Sequence, residues 1–291
     1  MSLKLNPECV LCHMQRSLDT ACKLGDEETA MAFAKELMQY MLQLPEDASS
    51  PTVGPGTTAL FTKYYGLSQD RYKEEKEESN RFVLSRMDSI RQRVAQAEDP
   101  LYAALQFAIL GNYIDFSALR GQVSFAQLDA MLDQAADMHV DAAVYEQLKE
   151  DLAKGKDLLY LTDNAGEICF DRIFGEEIQK HYPHLAITFC VRGGPAHNDA
   201  TREDAKLAGI PFPVIDNGNT VGGTEMRLRS EELKQAMDKA DVIIAKGMGN
   251  IETLYGSGFN IYYAFLIKCS RFVSLFQKPM FTPMLLRERK D

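Results

Sequence analysis

The stretch Lys156–Arg172, K-D-L-L-Y-L-T-D-N-A-G-E-I-C-F-D-R, decides the fold. Its apolar run, Leu158–Leu161, is too short for a buried helix and follows Gly155 and Lys156, so it reads as an interior strand of a parallel sheet. Asp163 and Asn164 stand at the carboxyl end of that strand, the edge where loops of an open α/β sheet splay apart and ligands bind. Ala165-Gly166 allows a tight turn, and Ile168, Phe170, Ile173, Phe174 and Ile178 recur at helical spacing from Glu167 onward. The turn thus joins hard oxygen ligands, suited to Mg²⁺ or Mn²⁺, to a helix N-terminus that favours an anion. Capping of that helix by Asp163 is the plainer alternative.

Downstream the rhythm of strand, turn and helix repeats. Strands are expected at Leu185–Val191, Phe212–Ile215, Asp241–Ala245 and Ile261–Ile267, with helices at Glu167–His181, Thr201–Ala208 and Ser230–Lys239. That alternation predicts an α/β domain over 151–291, a mainly parallel sheet with helices on both faces, to which Lys278–Asp291 adds a last strand. Upstream, 1–150 reads as an all-α domain. Pro7–Lys23 and Asp26–Leu44 form a helical hairpin, Pro45–Gly56 is a loop by its prolines and glycines, and Tyr72–Ala97 is one long charged helix. Pro100–Leu110, Ser124–Ala136 and Ala142–Lys154 complete the helices.

A formal charge of −10 on 291 residues argues against nucleic-acid or anionic-membrane partners, which need basic surface. There is no apolar leader and no stretch long enough for a membrane span, so a cytoplasmic protein is expected. The six cysteines are scattered, unlike a secreted disulfide framework. Cys9-x-x-Cys12-His13 matches the c-type haem pattern, but haem attachment belongs to an exported setting. Structural zinc would need two further ligands at recognisable spacing. A buried thiol pair on a helix is the expectation.

Strand ends carry the remaining chemistry. The second strand runs into Arg192-Gly193-Gly194-Pro195-Ala196-His197-Asn198-Asp199-Ala200-Thr201, bringing a second acid to the edge that holds Asp163. Asp199 either caps the following helix or shares a divalent cation with Asp163 and Asn164. The fourth strand ends in Lys246-Gly247-Met248-Gly249-Asn250-Ile251-Glu252, where an ammonium and backbone amides could meet phosphate oxygens; an ion pair with Asp163 or Asp199 is the alternative. Asn112 and Asp115, within Gly111-Asn112-Tyr113-Ile114-Asp115-Phe116, are turn groups or face the same site.

Taken together, Asp163-Asn164-Ala165-Gly166-Glu167, Asn198-Asp199-Ala200-Thr201, Lys246-Gly247-x-Gly249-Asn250-x-Glu252 and the Asn112 segment resemble the metal-dependent damage-control phosphatases, once grouped as domain of unknown function 89. Pro7-Glu8-Cys9-x-x-Cys12 is similar to their stand-alone microbial branch. The resemblance implies a three-layer α/β/α domain with a helical N-terminal domain, and a divalent metal (Mn, Mg, Co or Ni) on Asp163, Asn164 and Asp199. It also implies a small phosphorylated metabolite, such as a sugar phosphate, as substrate. Lys246 would contact phosphate beside Gly247, Asn250, Asn198 and Glu167, with Glu252, Asn112 and Asp115 supporting them. Asp163, Asp199 and Lys246 would carry catalysis by charge neutralisation and orientation, with water or Asp163 itself as nucleophile. Ser270–Phe276 departs from the family's small-residue helix, which bears on substrate preference. A nucleotide- or S-adenosylmethionine-binding transferase and a metal-dependent ligand sensor are the competing readings of the same architecture.

Overall fold

The computed structural model describes residues 3–115 and 123–289. Three helices open the chain: α1 (Pro7–Leu24), α2 (Glu27–Leu42) and, after a 3₁₀ turn at Ser50–Val53, α3 (Gly54–Tyr65). They share a small core of their own around Ala21, Phe33, Leu37 and Phe61. The expected loop therefore ends early, at Gly54. Pro55 lies in the first turn of α3, where a missing N–H costs nothing, so proline and glycine here open a helix instead of breaking one.

Next come α4 (Lys73–Leu84), α5 (Met87–Gln96), α6 (Pro100–Gly111), α7 (Phe125–Asp133) and, after a 3₁₀ turn at Ala135–Asp137, α8 (Ala142–Lys154). The single helix expected over 72–97 is two. The break falls at Ser85-Arg86, whose side chains both donate to the Phe82 carbonyl, satisfying a helix-end acceptor that would otherwise need the next turn.

Strands then alternate with helices: β1 (Asp157–Leu161), α9 (Glu167–His181), β2 (Ala186–Val191), α10 (Arg202–Ala208), β3 (Val214–Asp216), α11 (Glu231–Lys239), β4 (Val242–Lys246), α12 (Gly247–Leu254), β5 (Ile261–Leu266), α13 (Ser270–Phe276) and β6 (Pro283–Glu288). The sheet order is β3-β2-β1-β4-β5-β6, parallel except for β6, which runs antiparallel along β5. Side chains alternate across it. Leu158, Tyr160, Phe189, Val242 and Ile244 face a core shared with α4–α6, α8 and α9, while Leu159, Leu161, Ile243, Ala245 and Phe265 face α11, α12 and α13. The architecture is three layers, α/β/α, as expected. The hydrophobic core does not divide near residue 150: helices from 83 to 152 belong to the same core as one face of the sheet. Because the chain reverses its direction of travel between β1 and β4, a crevice opens outside their carboxyl ends.

Candidate functional site

The turn after β1 and the loop after β2 are stitched together by their backbones. Ala165 N–H donates to the Asn198 carbonyl at 2.9 Å, and Ala200 N–H to the Asp163 carbonyl at 2.7 Å. An isolated antiparallel bridge pairs Asn164 with Asp199. Two segments distant in sequence thereby place Asp163 and Asp199 on one wall of a cavity of about 180 Å³. Neither acid caps a helix: Gly166 precedes α9, and Thr201 with Asp204 forms a capping box on α10.

Arg192, last seen in the sequence as an unassigned strand-end residue, is fully buried between the two acids. Its Nε donates to Asp199 Oδ2 at 2.6 Å, and its Nη2 lies 3.4 Å from Asp163 Oδ1. Burial pushes the Asp199 carboxyl up to about 6 against the pull of Arg192. Burial, then the neighbouring Asp199 and Glu167 charges, pushes Asp163 well above the usual carboxylate range. Two acids held this close, with one guanidinium between them, resist ionising together, and a bound cation would relieve that.

Asp163 is also fixed from behind. Its Oδ2 accepts from Asn112 Nδ2 at 3.0 Å and from Asn164 Nδ2 at 2.8 Å. Gly247 closes on the same carboxylate: at φ +77° it sits in the left-handed region, and a Cβ there would lie 2.0 Å from Asp163 Oδ2. Only glycine lets the N-terminus of α12 approach so near.

Lys246 does not reach the cavity. Being the last residue of β4, it alternates with Val242 and Ile244 onto the helix-covered face, where it is wholly buried. Its Nζ donates to Glu167 Oε1 at 2.7 Å, Asp171 Oδ1 at 2.8 Å and the Ala108 carbonyl at 2.7 Å, using all three protons. Burial disfavours the ammonium, yet the Asp171 and Glu167 charges outweigh it and raise the group to about 12. The phosphate contact, and the alternative ion pair with Asp163 or Asp199, are both corrected by this geometry. Glu167 likewise faces inward, bonded to Lys246, Asn112 and Asn164.

Asn250 is buried too. It accepts from Thr224 Oγ1 at 2.9 Å and donates to the Thr162 and Lys246 carbonyls, tying α12 to β1 and β4. Asn198 donates to the Ile114 carbonyl at 3.1 Å. Neither lines the cavity, so their expected substrate contacts become structural ones. Asn112 anchors β5 by accepting from Leu266 N–H, and Lys268 binds both the Asn112 carbonyl and Asp115. Asp115 and Glu252 do line the cavity; burial lifts Glu252 to about 7 against Arg271. Phe116 of the same motif lies outside the described residues.

The opposite wall comes from α1 and α13. Glu8, Cys9, Cys12, His13 and Arg16 meet Cys269, Ser270 and Arg271 across the opening. Arg271 donates to Cys9 Sγ at 3.1 Å and to the Lys4 carbonyl at 2.8 Å. The thiols are therefore not a buried pair: Cys9 is buried, Cys12 half-buried, and both are unbridged. Among the described residues no three His, Cys, Asp or Glu side chains gather as a metal cluster, so a cation here would rest on two carboxylates and the Asn164 carboxamide. That all-oxygen set fits Mg²⁺ or Mn²⁺.

The model of the damage-control phosphatase ARMT1-like domain matches residues 5–282. The chain belongs to this family. It is 31% identical to a damage-control phosphatase of Pyrococcus horikoshii over 92% of each chain, and 31% identical to one of Archaeoglobus fulgidus over 92% of this chain and 93% of that protein. An uncharacterized protein of Methanocaldococcus jannaschii is 32% identical over 92% of this chain and 90% of its own length. The crystal structure of a DUF89 family protein from Pyrococcus horikoshii superposes with a TM-score of 0.81 at 28% identity, covering 98% of this chain and 99% of that one. As a damage-control phosphatase relative, the chain has its two strand-end acids in one crevice. Among the described residues no helix is long and apolar enough to cross a membrane.

Proposed function

We propose that this protein is a divalent-metal-dependent phosphatase acting on small phosphorylated metabolites such as sugar phosphates. The observation that carries the reading is the backbone pairing of 163–165 with 198–200, which puts Asp163, Asn164 and Asp199 on one cavity wall. These three residues would hold the cation. Held there, a divalent cation would supply charge neutralisation on the phosphoryl oxygens and orientation of a water for in-line attack. Arg192 lies between the Asp199 and Asp163 carboxyls and draws both toward the ionised form against their burial, and Gly247 lets the N-terminus of α12 approach the Asp163 carboxylate. A cavity of about 180 Å³ beside the two acids leaves room for a small ester.

Hydrolysis of a chromogenic phosphate ester should vanish with chelator and return with Mn²⁺, Co²⁺, Ni²⁺ or Mg²⁺. Asp199→Ala should lower turnover on a panel of metabolite phosphates by about 100-fold or more, the scale of losing a metal's charge stabilisation, with the circular dichroism spectrum retained. Unchanged turnover would remove Asp199 from the site. Denaturation-stable phosphate on Asp163 would make that carboxylate, not water, the nucleophile.

A further inference from the structure

A carboxamide can offer a cation its oxygen but not its nitrogen, so the orientation of Asn164 decides whether it can be a ligand. Its Nδ2 lies 2.8 Å from Asp163 Oδ2 and 2.8 Å from Glu167 Oε2. An oxygen in that position would face two acceptors, so the amide nitrogen is fixed there and the oxygen is left for the cavity that Asn164 lines. Glu167 reinforces this choice by giving the nitrogen a second acceptor at the same distance as Asp163.

Glu167 can play that part only if it is itself held as a buried acceptor. Its Oε1 takes the Lys246 ammonium, and its Oε2 also faces the Asn164 backbone N–H at 3.3 Å. Lys246 is pinned in turn by Asp171, whose Oδ1 also accepts from Tyr160 Oη at 2.8 Å. Glu167 and Asp171 are one helical turn apart on α9, so a single helix face presents both acids to Lys246.

We propose that the buried Asp171–Lys246–Glu167 network orients the Asn164 carboxamide with its oxygen toward the cation. All three are positioning residues, and the inference rests on the reading of Asp163, Asn164 and Asp199 as the cation-holding set. Glu167→Gln keeps the shape but turns an amide N–H toward Asn164 Nδ2 once the remaining oxygen is taken by Lys246. The Asn164 nitrogen then keeps only Asp163 as acceptor, Asn112 Nδ2 loses the same oxygen at 3.0 Å, and the carboxamide oxygen is no longer held toward the cavity.

The test is Mn²⁺ binding to metal-free protein, followed by electron paramagnetic resonance without substrate, alongside thermal unfolding of the same samples. Wild type should bind Mn²⁺ and Asp199→Ala should not. Glu167→Gln should bind about 10- to 100-fold more weakly, as losses of ligand-orienting partners do, with Asp171→Asn weakened in the same direction by less. Hydrolysis by Glu167→Gln should recover as Mn²⁺ is raised, which a general loss of structure would not permit. Binding by Glu167→Gln as tight as wild type, with Asp199→Ala still unable to bind, overturns the orientation proposal and leaves the cation site standing. Absence of Mn²⁺ from wild type overturns the site and this inference with it. If Glu167→Gln does not fold, Asp171→Asn decides: weaker Mn²⁺ supports the network, and unchanged binding refutes it.

Discussion

Two clusters in this protein have the same ingredients, two carboxylates and one cation, in opposite settings. In one, Arg192 lies between Asp163 and Asp199; in the other, Lys246 lies between Glu167 and Asp171. Both are almost wholly excluded from solvent. The lysine cluster is closed: every Nζ proton is spent, and helices cover it. The arginine cluster is open, with one contact at 2.6 Å, one at 3.4 Å, and both acids on a cavity wall. Composition therefore does not distinguish a closed ion network from one that opens onto a cavity. What separates them is whether the carboxylates stand on a helix face packed against the sheet, as Glu167 and Asp171 do on α9, or in the loops beyond the strand ends, as Asp163 and Asp199 do.

Substitutions can break this contrast. The largest effect is expected for Lys246→Met, which leaves two acids buried without a countercharge and should cost about 3–5 kcal/mol in urea unfolding of metal-free protein. A variant of normal stability that had lost only substrate affinity would return Lys246 to phosphate binding. Gly247→Ala comes next. Its left-handed φ adds about 1–2 kcal/mol of strain, and the new methyl would displace Asp163, so Mn²⁺ binding and hydrolysis should both fall with that modest loss of stability. Normal Mn²⁺ binding would show that Asp163 tolerates the shift.

The smallest effect concerns pH. Burial lifts Asp171 from 3.8 to about 7 despite Lys246, so between those values the folded protein keeps a proton that the unfolded chain has released. Its contribution to stability must then decline as pH rises through that window. Asp171→Asn should make the slope of the urea midpoint between pH 4 and 7 less negative; Glu252 and Asp199, raised to about 7 and about 6, act with the same sign as Asp171, while the buried His13 and His197, lowered to about 4 and about 3, act with the opposite one. An unchanged slope would mean that Asp171 titrates normally.

The α/β alternation was readable because every strand of the parallel sheet is a short apolar run between turn residues, and the meeting of Asp163 with Asp199 follows from β1 and β2 being neighbours. Lys246 was misread although its signal was present. Counting in twos from Val242 puts it on the side of the sheet that packs against α6 and α9, whereas the glycines after it suggest a loop tip. Asp171 was equally legible, four residues after Glu167 on one helix face. The wall built by α1 and α13 was not. Nothing local in Cys9-x-x-Cys12-His13 says that Arg271 lies against it, because that contact depends on how the small α1–α3 core docks on the sheet.

The hydrogen bond from Arg271 to the Lys4 carbonyl joins positions 267 apart. During synthesis the helix at Pro7–Leu24 leaves the ribosome long before Ser270–Phe276, so one side of the pocket must wait for the other. A nascent chain can finish its first helical hairpin early, yet it has no enclosed pocket until translation has passed residue 271.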